Sequence, residues 1–192
     1  MGTIKVHEFT TLDGVIDAPM WTMDYEFTDA MGESIGRITG DAQAILLGRT
    51  TWVEMGPAWS SRTVEDDPGT PFFNETPKYV VSAGLDSAEG WNNSTLLGGY
   101  DVEAIQKLKD SVDGGIYVSG SGTLVRAMLA DGLVDELHLY VYPVALGSGP
   151  RLFPDGAPRT AMSLAGAEAL DNGVVHLTYT PADADAAGSA HG

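Results

Sequence analysis

Ile116-Tyr-Val-Ser-Gly-Ser-Gly-Thr-Leu-Val-Arg-Ala-Met-Leu129 joins a short apolar run, a pair of glycines and an amphipathic segment without a break. Residues 116–119 predict a strand. Residues 123–130 predict a helix, closed by Asp131 and Gly132. A helix N-terminus offers unpaired backbone N–H groups and the positive end of a dipole. Gly120 and Gly122 remove the side chains that would hold a phosphate away from those groups. Taken alone, such a turn also serves plain chain geometry, so its meaning depends on the other strand ends.

Outward from this unit, strands alternate with helices. Apolar or alternating runs predict strands at 4–9, 42–47, 78–82, 95–97 and 136–144, and two late strands at 163–170 and 174–180. Asp171-Asn-Gly173 is a hairpin turn between the last two. Helical spacing of Phe27, Met31, Ile35 and Ile38 predicts a helix over 26–39. A second helix is expected from Gly48-Arg49 onward with a Thr cap. A third covers 101–112, capped by Asp101, with Val102, Ile105, Leu108 and Val112 on one face. Residues 56–77 hold four prolines and two glycines and read as one long loop. The pattern is that of an α/β domain over 1–180, a mostly parallel central sheet with helices on both faces and an antiparallel C-terminal edge. The tail 181–192 reads as disordered. The long strand 136–144 is a candidate for pairing across a homodimer.

Composition excludes several classes of function. The 192 residues contain 10 basic and 27 acidic side chains, a net charge of −17, with no basic cluster for nucleic acid. Cysteine is absent, which removes disulfides and thiolate metal sites. Four scattered histidines lack ligand spacing, so no metal is expected. No apolar run reaches the roughly 20 residues of a membrane helix. No charged-then-apolar leader opens the chain, and the expected address is the cytoplasm. Gly120-Ser121-Gly122 lacks the Gly-x-Ser-x-Gly spacing of a serine hydrolase. In so acidic a chain, an anionic ligand requires a local cation, which makes each Arg and Lys worth following.

Three strand ends share a character. Gly48-Arg49-Thr50-Thr51, Ser82-Ala83 and Ser119-Gly120-Ser121-Gly122-Thr123 each leave an apolar strand for small or hydroxylated residues. Parallel strands would set all three along one rim, where open α/β sheets bind ligands. Arg49 can neutralise a phosphate there with paired donors.

In order along residues 3–180, the pieces Phe9-Thr-Thr-Leu-Asp-Gly-Val-Ile16, Leu47-Gly-Arg-Thr-Thr-Trp52, Lys78-Tyr-Val-Val-Ser82, the turn 119–124 and the run Val134 to Gly147 resemble the dihydrofolate reductase superfold. They are most similar to stand-alone proteins resembling the reductase domain of bacterial riboflavin biosynthesis. That resemblance implies a three-layer fold, NADPH as hydride donor and a substrate like 5-amino-6-(5-phosphoribosylamino)uracil. It implies that Gly48, Arg49, Thr50 and Thr51 hold the 2′-phosphate and pyrophosphate, and that Ser82 and Ala83 border the adenosine. Gly120, Ser121, Gly122 and Thr123 would take the pyrophosphate and nicotinamide side. Val15 and Ile16 would line the nicotinamide, with Asp13 and Gly14 at the mouth shared with the substrate. Apart from the resemblance, Trp21 is a flat aromatic that can stack on a substrate ring or pack at the rim.

The chain departs from the pattern in three places. The stretch matching the pterin-binding carboxylate of folate reductases puts Met31 or Gly32 at the critical place, flanked by Asp29 and Glu33. The missing cysteines exclude the zinc deaminase that accompanies the bifunctional riboflavin enzyme. Only Arg151 and Lys78 offer themselves for a substrate phosphate. No general acid stands out, so solvent is the expected proton source. A non-catalytic protein holding a nucleotide or flavin-like ligand on the same fold is the alternative reading.

Overall fold

Alternation along the first strand, β1 (Thr3–Thr11), separates two cores. A computed structural model describes residues 1–16 and 19–182. Beside β1 it contains strands β2 (Ala42–Gly48), β3 (Lys78–Val81), β4 (Ser94–Gly98), β5 (Gly115–Ser119), β6 (Glu136–Tyr142), β7 (Met162–Ala169) and β8 (Val175–Pro181). The helices are α1 (Asp29–Thr39), α2 (Arg49–Ser60), α3 (Thr70–Glu75), α4 (Val102–Ser111) and α5 (Gly122–Ala130), with a 3₁₀ turn at Pro19–Asp24. All strands join one sheet in the order β4-β3-β2-β5-β1-β6-β8-β7. The first six run parallel, and β8 pairs antiparallel with both β6 and β7. This is the expected architecture.

Ile4 and Val6 face one core with Ile105 and Leu108 of α4 and Leu124, Val125 and Met128 of α5. The opposite face packs Ile45, Leu47 and Tyr140 against Met31 and Ile38 of α1 and Trp52 of α2. Burying each large apolar side chain contributes roughly 1.5–3 kcal/mol, so the two layers supply the main driving force. Local signals set the helix ends. Thr28 Oγ1 accepts from Met31 N at 3.3 Å, which starts α1 at Asp29 and leaves Phe27 outside the helix, 66% exposed. Asp101 caps α4, its Oδ1 accepting from Glu103 N at 2.8 Å and Ala104 N at 3.3 Å. Val102, expected on the buried face of α4, is 40% exposed instead.

Four expectations need correction. The segment 56–77 is not one loop. Helix α2 passes through Pro57 to Ser60, and α3 fills 70–75. Aromatic packing overrides the proline and glycine punctuation: Trp59 stacks on Phe73 at 4.1 Å, and Phe72 meets Tyr117 edge-on at 5.5 Å. The start of α2 is Gly48, without a side-chain cap, rather than a threonine. Strand β6 has no free edge for a dimer, because β1 and β8 occupy both sides. The free edges are β4 and β7. Finally, β8 extends through Pro181, and Ala182 N donates to Ala161 O at 3.4 Å, so the ordered chain passes 180. The rest of the expected tail, and residues 17–18, lie outside the described residues.

Lys78 is wholly buried and closes the C-terminal end of α3, donating to Phe73 O at 2.7 Å and Thr76 O at 2.9 Å. Burial pushes its pKa down to about 8. Among the described residues, no helix is long and apolar enough to cross a membrane.

Candidate active site

The C-terminal ends of β1, β2, β3 and β5 lie along one border because these strands are parallel. Pairing of β1 with β5 ends at His7 and Ser119, and the two strands then part. Gly120 turns the chain with a φ of +64°, a region that disfavours side chains, and the peptide joining it to Ser121 is cis. Helix α5 begins at once. Helix α2 begins beside it, directly after β2. Thr51 Oγ1 donates to Ser121 Oγ at 3.1 Å and ties the two helix starts together.

These two starts differ from those of α1 and α4. Gly48 and Ser121 occupy the cap positions of α2 and α5, and neither gives a side-chain acceptor to the first turn. The first N–H groups of both helices therefore keep their donor capacity for another partner. Close approach is enforced by missing side chains. A Cβ at Gly48 would collide with Ser121 Oγ, and one at Gly122 with Ile16 Cδ1.

Two cavities flank this junction and share Thr50, Ser121 and Thr123. The outer one, about 350 Å³, lies between the ends of β2 and β3 and is lined by Gly48, Arg49, Ser82, Ala83 and Tyr100. Arg49 is exposed, and no salt bridge or side-chain hydrogen bond engages it among the described residues. Ser82 Oγ accepts from Gly84 N at 3.1 Å and shapes the turn that follows β3. The inner cavity, about 420 Å³, opens where β1 and β5 part. Ile16, Thr51, Gly120 and Gly122 line it, with His7, Glu8, Glu54 and Arg126.

The structure thus gathers Ile16, Gly48, Arg49, Thr50, Thr51, Ser82, Ala83 and residues 120–123 about one junction. Four residues picked from the sequence stand outside both linings. Val15 is 2% exposed and packs toward Gly149. Asp13 is engaged by its own turn: its carboxylate accepts from Thr11 Oγ1 at 2.6 Å, Gly147 N at 2.7 Å and Leu146 N at 3.2 Å. The Thr11 bond first, then Gly147, holds the Asp13 pKa down at about 2. Gly14 supplies the positive φ of that turn, +81°. Trp21 meets Tyr142 edge-on at 5.1 Å. Neither cation considered for a substrate phosphate is free: Lys78 is buried, and Arg151 Nε donates to Asp13 O at 2.8 Å.

Glu8 and His7 are absent from the set picked by sequence. Glu8 is 6% exposed, and its Oε1 is buried with no hydrogen-bond partner. Burial pushes its carboxyl pKa up to about 8, with Arg126 opposing the shift. His7 is 4% exposed. Its Nδ1 lies 2.6 Å from Tyr117 Oη, while Nε2 has no partner. Burial, then the nearby His138 and His176, push its pKa down to about 3. Burial thus favours the uncharged form of both groups. One sequence signal pointed to Glu8: it continues the Ile4, Val6 face of β1, where period two places side chains in the core.

The model of the RibD C-terminal domain family matches residues 3–176. The chain is 28% identical over 178 residues to the uncharacterized protein YyaP of Bacillus subtilis (strain 168), covering 88% of this chain and 89% of that one. Its fold is similar to dihydrofolate reductase from Enterococcus faecalis complexed with NADP(H), with a TM-score of 0.60, 16% identity, and coverage of 95% and 98%. It is also similar to a diaminohydroxyphosphoribosylaminopyrimidine deaminase/5-amino-6-(5-phosphoribosylamino)uracil reductase from Thermotoga maritima. There the TM-score is 0.64 at 16% identity, covering 94% of this chain and 57% of that one. At such identities the two structures speak to fold alone. The family match spans nearly the whole described chain, including every strand end that forms the rim, and the protein belongs to the RibD C-terminal domain family.

Proposed function

We propose that the protein is an NADPH-dependent oxidoreductase that reduces a C=N or C=O bond of a small heterocycle, of the ribosylaminopyrimidine type. The observation that carries this reading is the meeting of two helix starts without side-chain caps at one rim, beside an unengaged arginine. The residues fit the cofactor in three ways. Open N–H donors suit a pyrophosphate. Without side chains at Gly48 and Gly122, Ser121 and Ile16 pack against the two helix starts, which brings the open turns of α2 and α5 together. Arg49 suits the 2′-phosphate, a group of about −1.5 to −2 charge that a chain of net charge −17 would otherwise repel.

In this reading Gly48, Thr50, Thr51, Gly122 and Thr123 hold the pyrophosphate, and Arg49 pairs with the 2′-phosphate. Ser82 and Ala83 border the adenosine. Ile16, Gly120 and Ser121 border the nicotinamide end, in the opening between β1 and β5. Bound NADPH supplies a hydride. The chain contributes placement of the reacting carbons and exclusion of water.

A fluorescence titration with NADPH, followed by an oxidation assay with 5-amino-6-(5-phosphoribosylamino)uracil, tests the proposal. Binding with turnover supports it. Tight binding without turnover on any ring substrate favours a non-catalytic nucleotide-binding protein. No binding removes both readings.

A further inference from the structure

Among the described residues, Glu8 is the one buried carboxyl group. Its Oε1 receives no hydrogen bond. An unpartnered buried polar atom costs about 1–3 kcal/mol, so a carboxyl kept only for packing would be cheaper as an apolar side chain. Nor does a salt bridge explain it. Arg126, which lines the same cavity, donates instead to Arg151 O at 3.0 Å and Thr123 Oγ1 at 3.1 Å. Glu8 lies where pairing of β1 with β5 has just ended, facing the side-chain-free Gly120, with Oε1 4.0 Å from the place a Cβ there would take. It lines the inner cavity, at the end assigned above to the nicotinamide.

Helix α1 offers no competing acid. Its buried residues are Met31, Ser34 and Ile38, while Asp29 and Glu33 do not reach the core.

We propose that Glu8 is the proton donor of the site, giving its carboxyl proton to the substrate heteroatom next to the carbon that is reduced. The assignment rests on the reductase reading above. The Glu8 O–H bond breaks, and an N–H or O–H bond forms on the substrate. The double bond of the substrate becomes single as its carbon takes hydride, a hydrogen with its bonding electron pair, from a reduced nicotinamide, which leaves oxidised. Solvent then reprotonates the Glu8 carboxylate. Burial suits this role because it keeps the carboxyl protonated at neutral pH. Arg126 on α5 and Tyr117 on β5 interact with Glu8 electrostatically, and His7 on β1 and Glu54 on α2 are the other titratable groups lining the cavity.

The test uses full-length protein and Glu8→Gln. Carbon-13 NMR of glutamate-labelled, cofactor-free protein should show one carboxyl titrating near 8, and Glu8→Gln should remove that signal. NADPH affinity should change less than about threefold. Turnover with 5-amino-6-(5-phosphoribosylamino)uracil should fall about 10²–10⁴-fold, the range of general acid catalysis. Wild-type rate should decline tenfold per pH unit above about 8, and that decline should vanish in the variant. If NADPH binds and wild type turns over while Glu8→Gln keeps its rate and its alkaline decline, the donor assignment fails alone. A Glu8 carboxyl titrating near 4.5 also defeats it. If wild type binds no NADPH or does not turn over, the reductase reading fails and the donor falls with it.

Discussion

At the scale of single residues, Arg49 and Gly122 carry the proposed cofactor contacts. Arg49→Ala removes a guanidinium that has no structural partner among the described residues, so folding should be untouched. Its loss should weaken NADPH by about 10–100-fold, the worth of a charge-assisted contact of roughly 1.5–3 kcal/mol, and leave NADH nearly unchanged. Calorimetric titration with both cofactors measures this, and an equal loss for both would remove Arg49 as the 2′-phosphate partner. Gly122→Val places methyl groups against Ile16 and Arg126 at the first turn of α5. Cofactor affinity should drop at least tenfold while circular dichroism stays native, and unchanged affinity would show that this turn does not face the ligand. Glycines and hydroxyls of this kind are legible in sequence because they sit at strand ends and act locally. Glu8 is harder to read. Its meaning depends on Ser119 and Gly120, more than a hundred positions later, which open the sheet beside it.

At the scale of elements, cap chemistry divides the longer helices by role. Thr28 and Asp101 close the starts of α1 and α4, which pack on the two faces of the sheet. The starts of α2 and α5 are left open at the rim. Asp101→Ala should therefore cost about 1 kcal/mol of stability, read by thermal or urea unfolding, with NADPH affinity unaffected. A loss of affinity would mean that α4 is part of the site. The cap of α4 is legible in the sequence because Asp101 immediately precedes an apolar helical pattern. The second helix of the 56–77 segment is not. Pro57, Pro68, Pro71 and Gly69 argue for a loop, and α3 is held by contacts no local pattern shows: Phe72 and Phe73 against Tyr117 and Trp59, and Lys78 on its last carbonyls. The interior position of β6 is likewise invisible locally, since its second neighbour, β8, is the last strand along the chain.

Across the whole molecule, buried histidines make stability fall on the acid side of neutrality. His7 and His176 have pKa values pushed down to about 3 and about 4 from an ordinary 6.5, and His138 is lowered as well, in each case chiefly by burial. His176 Nδ1 lies 2.9 Å from Ser34 Oγ, and its Nε2 lies 3.0 Å from His138 Nδ1, with Glu168, Arg37 and Tyr140 facing it from β7, α1 and β6. The folded state binds fewer protons than the unfolded chain in this range. The histidines' contribution to stability is complete above about pH 6.5 and is lost as pH falls through about 4. Glu8 acts with the opposite sign. Its raised pKa gives a contribution present below about 4.5 and lost as pH rises through about 8. Thermal unfolding of wild type between pH 7 and 4 should show a steeper fall in Tm than His176→Gln; equal slopes would exclude this histidine as a determinant.

The cradle itself is the claim on which the functional reading stands, and a crystal structure after soaking with NADPH tests it most directly. The expected result places the pyrophosphate against the first N–H groups of α2 and α5, the 2′-phosphate at Arg49, and the nicotinamide in the opening between β1 and β5 beside Glu8. Cofactor density on another face, or an unfilled rim at saturating NADPH, would contradict it.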